Sequence, residues 1–409
     1  MRLISGETIW TKINEIPKKY TYLSDDLECD VAIIGAGITG AICAYHLTKA
    51  GIDTIIVDKN IIGYESTSAS TSILQYEIDY NLVGLKGIIG EENAVKSFKL
   101  TADAVYEIQN IIKDLDDDCG FNLRDCFYYT NNESDISLLR KEYDLRKNNG
   151  FDVEFIDKSK AEERFSFPVK AGIYTNGNGG EIDPYRFAHA LISKAEKNGL
   201  KVFENTEIVK INPSMNGVQL TTKNGFNISC KKALIAAGFE SKNYIQQKTA
   251  ILSRSFTIAT KPIKNFAGWY KRCIIRDTNS PYTYLRTTSD DRILIGGEDL
   301  DVGGINSKVS NLSHENPISL DKYNVLQKKL GEMFPNIRDI GVEYSFSGIF
   351  GETRDGLPFI GEHEKYPNCY FCLGYGSNGI LYATLEGKLL TDLYQGKIRE
   401  ELDLFKFHR

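Results

Sequence analysis

The sequence has no apolar run near the roughly 18 residues that a membrane-crossing helix requires, and residues 1–30 lack the basic-then-apolar layout of a signal peptide. A cytoplasmic protein is therefore expected. Positive charge is not in excess: 49 Lys and Arg stand against 55 Asp and Glu, a formal net charge of −6. That balance argues against a nucleic-acid binder, which carries a basic footprint. Histidine is scarce, with 5 residues, and the 8 cysteines include a single C-x-x-C, Cys369 to Cys372. No second pair completes a zinc site, and this one lies in an apolar strand-like run, so the cysteines read as reduced structural thiols. Internal repeats, low-complexity tracts and long linkers are missing too. What remains is a globular chain of 409 residues, 42% hydrophobic and 25% charged, long enough for two domains.

The clearest unit comes first. Residues 31–34 form a short apolar strand, 35–40 a glycine-rich turn, 38–50 a helix closed by Gly51, and 54–57 a second strand. Gly35-Ala36-Gly37-Ile38-Thr39-Gly40 is a complete G-x-G-x-x-G, answered by Asp58 at the tip of the next strand, 23 positions after Gly35. Gly35 permits the tight turn, Gly37 lets a pyrophosphate approach the backbone, and Gly40 lets helix and sheet pack closely. The helix N-terminus offers free N–H groups and partial positive charge to the phosphates, and Asp58 can accept from ribose hydroxyls.

Farther along, patterns predict helices over 91–115, 134–147, 320–333 and 380–394, and a helix opening at Pro184 with Asp183 as its cap. Strands are expected at 126–130, 153–156, 171–174, 201–203, 232–237 and 370–373. The stretch 248–297 is rich in β-formers, at 256–259, 282–286 and 293–295. Strands alternate with helices at the start, middle and end, with β-rich segments between. The expected fold is α/β, α+β overall. A discontinuous Rossmann-like nucleotide domain (1–118, 184–246 and 336–409) would carry an inserted domain (119–183 and 247–335) built on a mixed or antiparallel β-sheet.

Three features point to FAD rather than NAD. Ser66-Thr67-Ser68-Ala69-Ser70-Thr71-Ser72 is a hydroxyl-rich loop suited to a ribityl chain and pyrophosphate, although a plain solvent loop would read the same. The apolar strand 233–236 ends in the small residues Ala237 and Gly238, across which a cofactor can lie. Gly374-Tyr375-Gly376-Ser377-Asn378-Gly379, followed by Ile380, aims the last helix's N-terminus at the pyrimidine end of a reduced flavin, where its dipole favours negative charge. Lys59 and Val209 complete the expected cofactor contacts on this side.

Taken together, residues 30–40, Glu181-Ile182-Asp183-Pro184 and Thr353-Arg354-Asp355-Gly356-Leu357-Pro358-Phe359-Ile360-Gly361 resemble the D-amino-acid oxidase superfamily, in its glycine oxidase and monomeric sarcosine oxidase branch. The resemblance covers nearly the whole chain in the same order. It implies FAD at the interface of two domains, with Arg354 and Asp355 among its contacts, and oxidation of a C–N bond. Hydride would pass from the amine-bearing carbon to flavin N5, followed by imine hydrolysis. Such chemistry rests on orientation and electrostatics and needs no histidine.

Three positions depart from the family pattern. Gly348 stands where covalent members carry the flavin-linking Cys, so non-covalent FAD is expected. Phe350 stands where amino-acid oxidases place a carboxylate-binding Arg. Leu294 stands where the sarcosine-oxidase branch has an oxygen-activating Lys, which leaves room for an electron-acceptor protein in place of O2. Two compensations suggest themselves. Strand period puts Tyr282, Tyr284 and Arg286 on one face, expected to line the substrate pocket with Arg286 binding an anionic group, unless Arg286 is simply a surface residue. Arg354 is the second candidate, unless its place in the glycine-turn motif gives it a structural or flavin-contacting role; Gln75 and Tyr76, just after the hydroxyl-rich loop, are also expected to face the flavin. The partner is then a small amine or amino acid. A flavin dehydrogenase for a hydroxy acid or another non-amine is the alternative.

Overall fold

The computed structural model describes residues 3–244, 250–303, 307–337 and 340–409. Two sheets face each other. The first is parallel at its centre, in the order Tyr366–Leu373, Asn227–Ile235, Leu27–Ile34, Thr54–Val57 and Lys201–Phe203. Val31, Ala32 and Ile33 are fully buried, as a parallel strand covered on both faces must be. One face carries helix Ile38–Lys49, packed between Pro184–Lys197 and Gly379–Tyr394. Asp183 caps the second of these helices, accepting from the amides of Tyr185 (2.9 Å) and Arg186 (3.0 Å). The hairpin Ile208–Ser214 and Gly217–Thr222 extends this sheet from Asn227–Ile235.

The second sheet has ten strands among the described residues and is mostly antiparallel. Its order runs Ile4–Gly6, Val342–Glu352, Ile251–Thr260, Ile293–Asp301, Thr283–Thr287, Ile274–Asp277, Asn122–Thr130, Ala171–Glu181 and Ile73–Gln75. Val153–Asp157 pairs with Ala171–Glu181 beside it. Helix Pro317–Met333 packs against three of these strands, burying Leu326 and Leu330 completely. Each such side chain contributes about 1.5–3 kcal/mol.

The domain limits read from sequence need correction. Strand Val342–Glu352 pairs with Ile251–Thr260 in the ten-stranded sheet, so the chain returns to the nucleotide half only after Glu352, not at 336. Ile4–Gly6 and Ile73–Gln75, assigned above to the nucleotide half, also belong to that sheet. An isolated strand does not reveal its partner, which is why the pattern misled. The limit at 246/247 lies outside the described residues. No helix among the described residues is long and apolar enough to cross a membrane.

Candidate active site

A cavity of about 1160 Å³ runs between the two sheets. At one end its wall is the first glycine turn. Gly35 takes φ +106°, and a Cβ at Gly40 would sit 1.9 Å from the Gly35 carbonyl oxygen, so only glycine lets the helix approach the turn. Asp58 accepts from the amides of Ala36 and Asn60, each at 2.7 Å, and burial holds its pKa above the ordinary carboxylate value. Thr67 Oγ1 receives the Ile38 amide at 3.0 Å, which folds the hydroxyl-rich loop onto the helix N-terminus. Lys59 pairs with Glu65 (3.3 Å) and Glu240 (2.7 Å) at the rim.

The second glycine turn closes the cavity from the far end of the chain. Asn378 Nδ2 donates to the carbonyls of Gln75 (2.9 Å) and Glu77 (3.0 Å), and the Ser377 amide donates to Asp79 at 3.0 Å. The 76–83 segment is itself anchored by Arg146, 1% exposed, which donates to Glu142 (2.7 Å), Glu77 (2.8 Å) and the Tyr76 hydroxyl (2.8 Å).

Of the cofactor contacts expected from sequence, Gly35, Gly37, Ile38, Thr39, Asp58, Lys59, Ser66, Thr67, Ser70, Thr71 and Ser72 lie on the cavity wall. So do Val209, Ala237, Gly238, Gly376, Ser377, Asn378, Gly379 and Ile380. Ala36, Gly40 and Ser68 stand behind it and shape the loops; Ser68 Oγ donates to the Glu65 carbonyl at 2.8 Å. Arg354 and Asp355 require correction. Arg354 is exposed outside the cavity, and Asp355 is spent on Arg409 (2.6 Å), Thr353 (3.0 Å) and the Leu357 amide (3.2 Å). The motif builds a turn off the cavity wall.

The chain matches the family described as FAD dependent oxidoreductase (DAO) over residues 30–393. The protein belongs to that family. It is an FAD-dependent oxidoreductase, and the continuous cavity bounded by both glycine turns fits the cofactor. Among similar proteins, the γ-glutamylputrescine oxidoreductase of Escherichia coli (strain K12) is 22% identical over 94% of this chain and 87% of its own length. Glycine oxidase of Bacillus subtilis (strain 168) is 23% identical over 90% of this chain and 93% of its own. Glycine oxidase from Geobacillus kaustophilus shares the fold with a TM-score of 0.78, at 21% identity over 94% of this chain and 99% of that one.

Beyond the cofactor turns, the cavity floor is the ten-stranded sheet. Ser255 and Thr257, Tyr282 and Tyr284, and Gly348 and Phe350 face it in alternation along their strands. Gln75 lies on the wall, 8% exposed, with no hydrogen bond from its side-chain amide among the described residues. Tyr76 instead points away, its hydroxyl meeting Thr175 at 3.2 Å, as the next residue of a strand must. Arg286 shares the tyrosines' strand but does not reach the cavity. Its Nε donates to Thr71 O (2.5 Å), Nη1 to Thr287 O (3.1 Å) and Nη2 to Ile182 O (2.9 Å). Burial lowers its pKa to about 10, and it supports the hydroxyl-rich loop instead of binding an anion.

Sequence reasoning passed over the arginine that does face the cavity. Arg276, on Ile274–Asp277, donates to Ile78 O (3.1 Å) and Asp79 O (3.3 Å) and lies 4.3 Å from the Tyr282 ring centre. Its Nε is buried with no partner among the described residues. The only signal was an arginine inside an apolar strand pattern. Leu294 is sealed in an apolar cluster with Trp10, Ala259 and Phe346.

Proposed function

We propose that the protein oxidises the C–N bond of a small amine or amino acid, with FAD held non-covalently. The observation that carries this reading is the single cavity joining the cofactor turns to a floor of Tyr282, Tyr284 and Arg276. Bound FAD supplies the hydride acceptor. The chain's own residues orient the substrate: the two phenol rings, 5.7 Å apart and tilted 46° to each other, line one wall, and Arg276 offers its unspent N–H groups to an anionic group. Relatives matched over most of their length, named for γ-glutamylputrescine and for glycine, support an amine substrate. Gly348 supplies no nucleophile for a covalent link, and the apolar Leu294 site favours an acceptor other than O2, a protein among them.

Anaerobic mixing of the FAD-loaded protein with glycine, L-proline, iminodiacetate and γ-glutamylputrescine, followed by flavin absorbance, tests the reading. Bleaching by at least one amine is expected. A second reading, oxidation of a hydroxy compound, draws on the shared fold of L-α-glycerophosphate oxidase from Mycoplasma pneumoniae, with a TM-score of 0.74 at 18% identity. Bleaching by glycerophosphate alone would replace the first reading with the second.

A further inference from the structure

The floor of the cavity contains an irregularity with a chemical use. Strands Ile251–Thr260 and Ile293–Asp301 pair with Arg254 opposite Leu300 and Phe256 opposite Gly297, so Ser255 alone stands against both Glu298 and Asp299. This is a β-bulge, and its first residue, Glu298, sits at φ +57°, a left-handed conformation that is strained for a non-glycine residue. Glu298 is held there by Lys322 (2.9 Å) and Lys329 (2.6 Å). The bulge sets Asp299 beside Ser255 across the strand pair, close enough for the serine hydroxyl to favour its ionised form. Asp299 Oδ1 is buried and has no hydrogen-bond partner among the described residues.

Ser255 Oγ in turn lies 3.1 Å from the Tyr284 hydroxyl, and both residues line the cavity. The Tyr284 ring lies over Gly296, where a Cβ would come within 2.4 Å of it. Thr71 and Thr257, also on the cavity wall, lie near enough to the phenol to favour its ionised form. The Tyr284 and Ser255 hydroxyls therefore lie between the substrate space and a buried carboxylate that has an unpartnered oxygen.

We propose that Tyr284, Ser255 and Asp299 form a relay that removes the ammonium proton of the substrate, so that the amine is neutral when it is oxidised. The inference rests on the amine reading above. An N–H bond of the substrate ammonium breaks and its proton passes to Tyr284 Oη. The phenol's own proton moves to Ser255 Oγ, and the serine's proton moves to an Asp299 oxygen. The products are a neutral amine and a neutral Asp299, and no electrons are transferred in the step. Burial, Asp79 and Glu298 push Asp299 up to about 6, against the opposing pull of Ser255 and Arg276. Tyr282, Tyr284 and Glu352 are the other titratable groups around it. Burial raises the Tyr284 phenol to about 12, so it conducts protons as a neutral hydroxyl.

The test is the limiting rate of flavin bleaching as a function of pH, using whichever amine from the panel reduces the flavin. In the unmodified protein the rate is expected to fall as pH drops through about 6. Ser255→Ala and Asp299→Asn should each slow bleaching by about a hundred-fold near neutrality. Both should recover at high pH, where the amine enters unprotonated. Ser255→Thr, which keeps a hydroxyl, should restore the original profile. Calorimetric binding of the same amine in two buffers supplies a second readout: the unmodified protein retains the proton, and Asp299→Asn releases it. Unchanged pH profiles in both Ser255→Ala and Asp299→Asn would overturn the relay and leave amine oxidation standing. A flavin that no amine bleaches would overturn the amine reading itself, and the relay with it.

Discussion

At the nucleotide end of the cavity the recognition surface is largely backbone: glycine turns, helix N-termini and a loop of small hydroxyls, positioned by Asp58 and Asn378. At the substrate end it consists of large side chains, Tyr282, Tyr284 and Arg276, held by strand geometry and a bulge. Backbone recognition suits a cofactor of fixed shape, and its sequence requirement is strict because a single Cβ blocks it. Side-chain recognition can change residue by residue while the sheet stays intact.

Gly40→Val is the sharpest test of that contrast. Its side chain collides with the Gly35 carbonyl, and a loss of about 3 kcal/mol in stability is expected, together with loss of bound FAD. Thermal unfolding and flavin content per chain measure both. A variant that keeps its flavin would break the comparison.

The next largest effect separates the two arginines. Arg276→Met should weaken substrate binding by about 1.5–3 kcal/mol with FAD content unchanged, seen as a rise in the concentration needed for half-maximal bleaching. Arg286→Met should instead lower stability by a similar amount, since Thr71, Ile182 and Thr287 lose a donor, with little change in substrate binding. An equal effect of both substitutions on binding would erase the distinction drawn between them.

A smaller effect concerns pH. Burial raises Asp299 to about 6 and, with Asp79 and Asp299 adding repulsion, Glu352 to about 7. Between their unfolded and folded values the folded chain holds protons that the unfolded chain has released. Stability of the apoprotein from these groups therefore falls as pH rises from about 4 to about 7. Denaturant unfolding should show the slope, flattened in Asp299→Asn. The weakest effect is at the rim: Lys59→Ala should cost under about 1 kcal/mol, and less in high salt.

The nucleotide half was legible because its signals are local. The G-x-G-x-x-G, the following helix and Asp58 lie within one βαβ unit, and each glycine has a steric reason. The helices were legible for the same reason, and Pro184–Lys197 starts at the cap the sequence announces. The substrate half depends on distant partners. Strand period put Arg286 on the same face as the tyrosines, but only the fold shows the Thr71 carbonyl, from a loop far back in the chain, closing over it. The bulge at Glu298 is invisible in one strand, because a bulge is a mismatch between two. Arg276 escaped because a cation in an apolar strand looks like an irregularity until its neighbours are known.

The parallel sheet also has a consequence for how the protein is made. Ile34 pairs with Ile235, and Ile235 with Phe371, so three strands around the first glycine turn are separated by most of the chain. During synthesis the opening strand Leu27–Ile34 meets Thr54–Val57 early but emerges long before its other partner, Asn227–Ile235, and longer still before Tyr366–Leu373 beyond that strand. Cofactor capture is therefore expected late in biosynthesis, and a truncated chain ending before Tyr366–Leu373 should expose an apolar edge of Asn227–Ile235 to aggregation and chaperones rather than form a partly active enzyme.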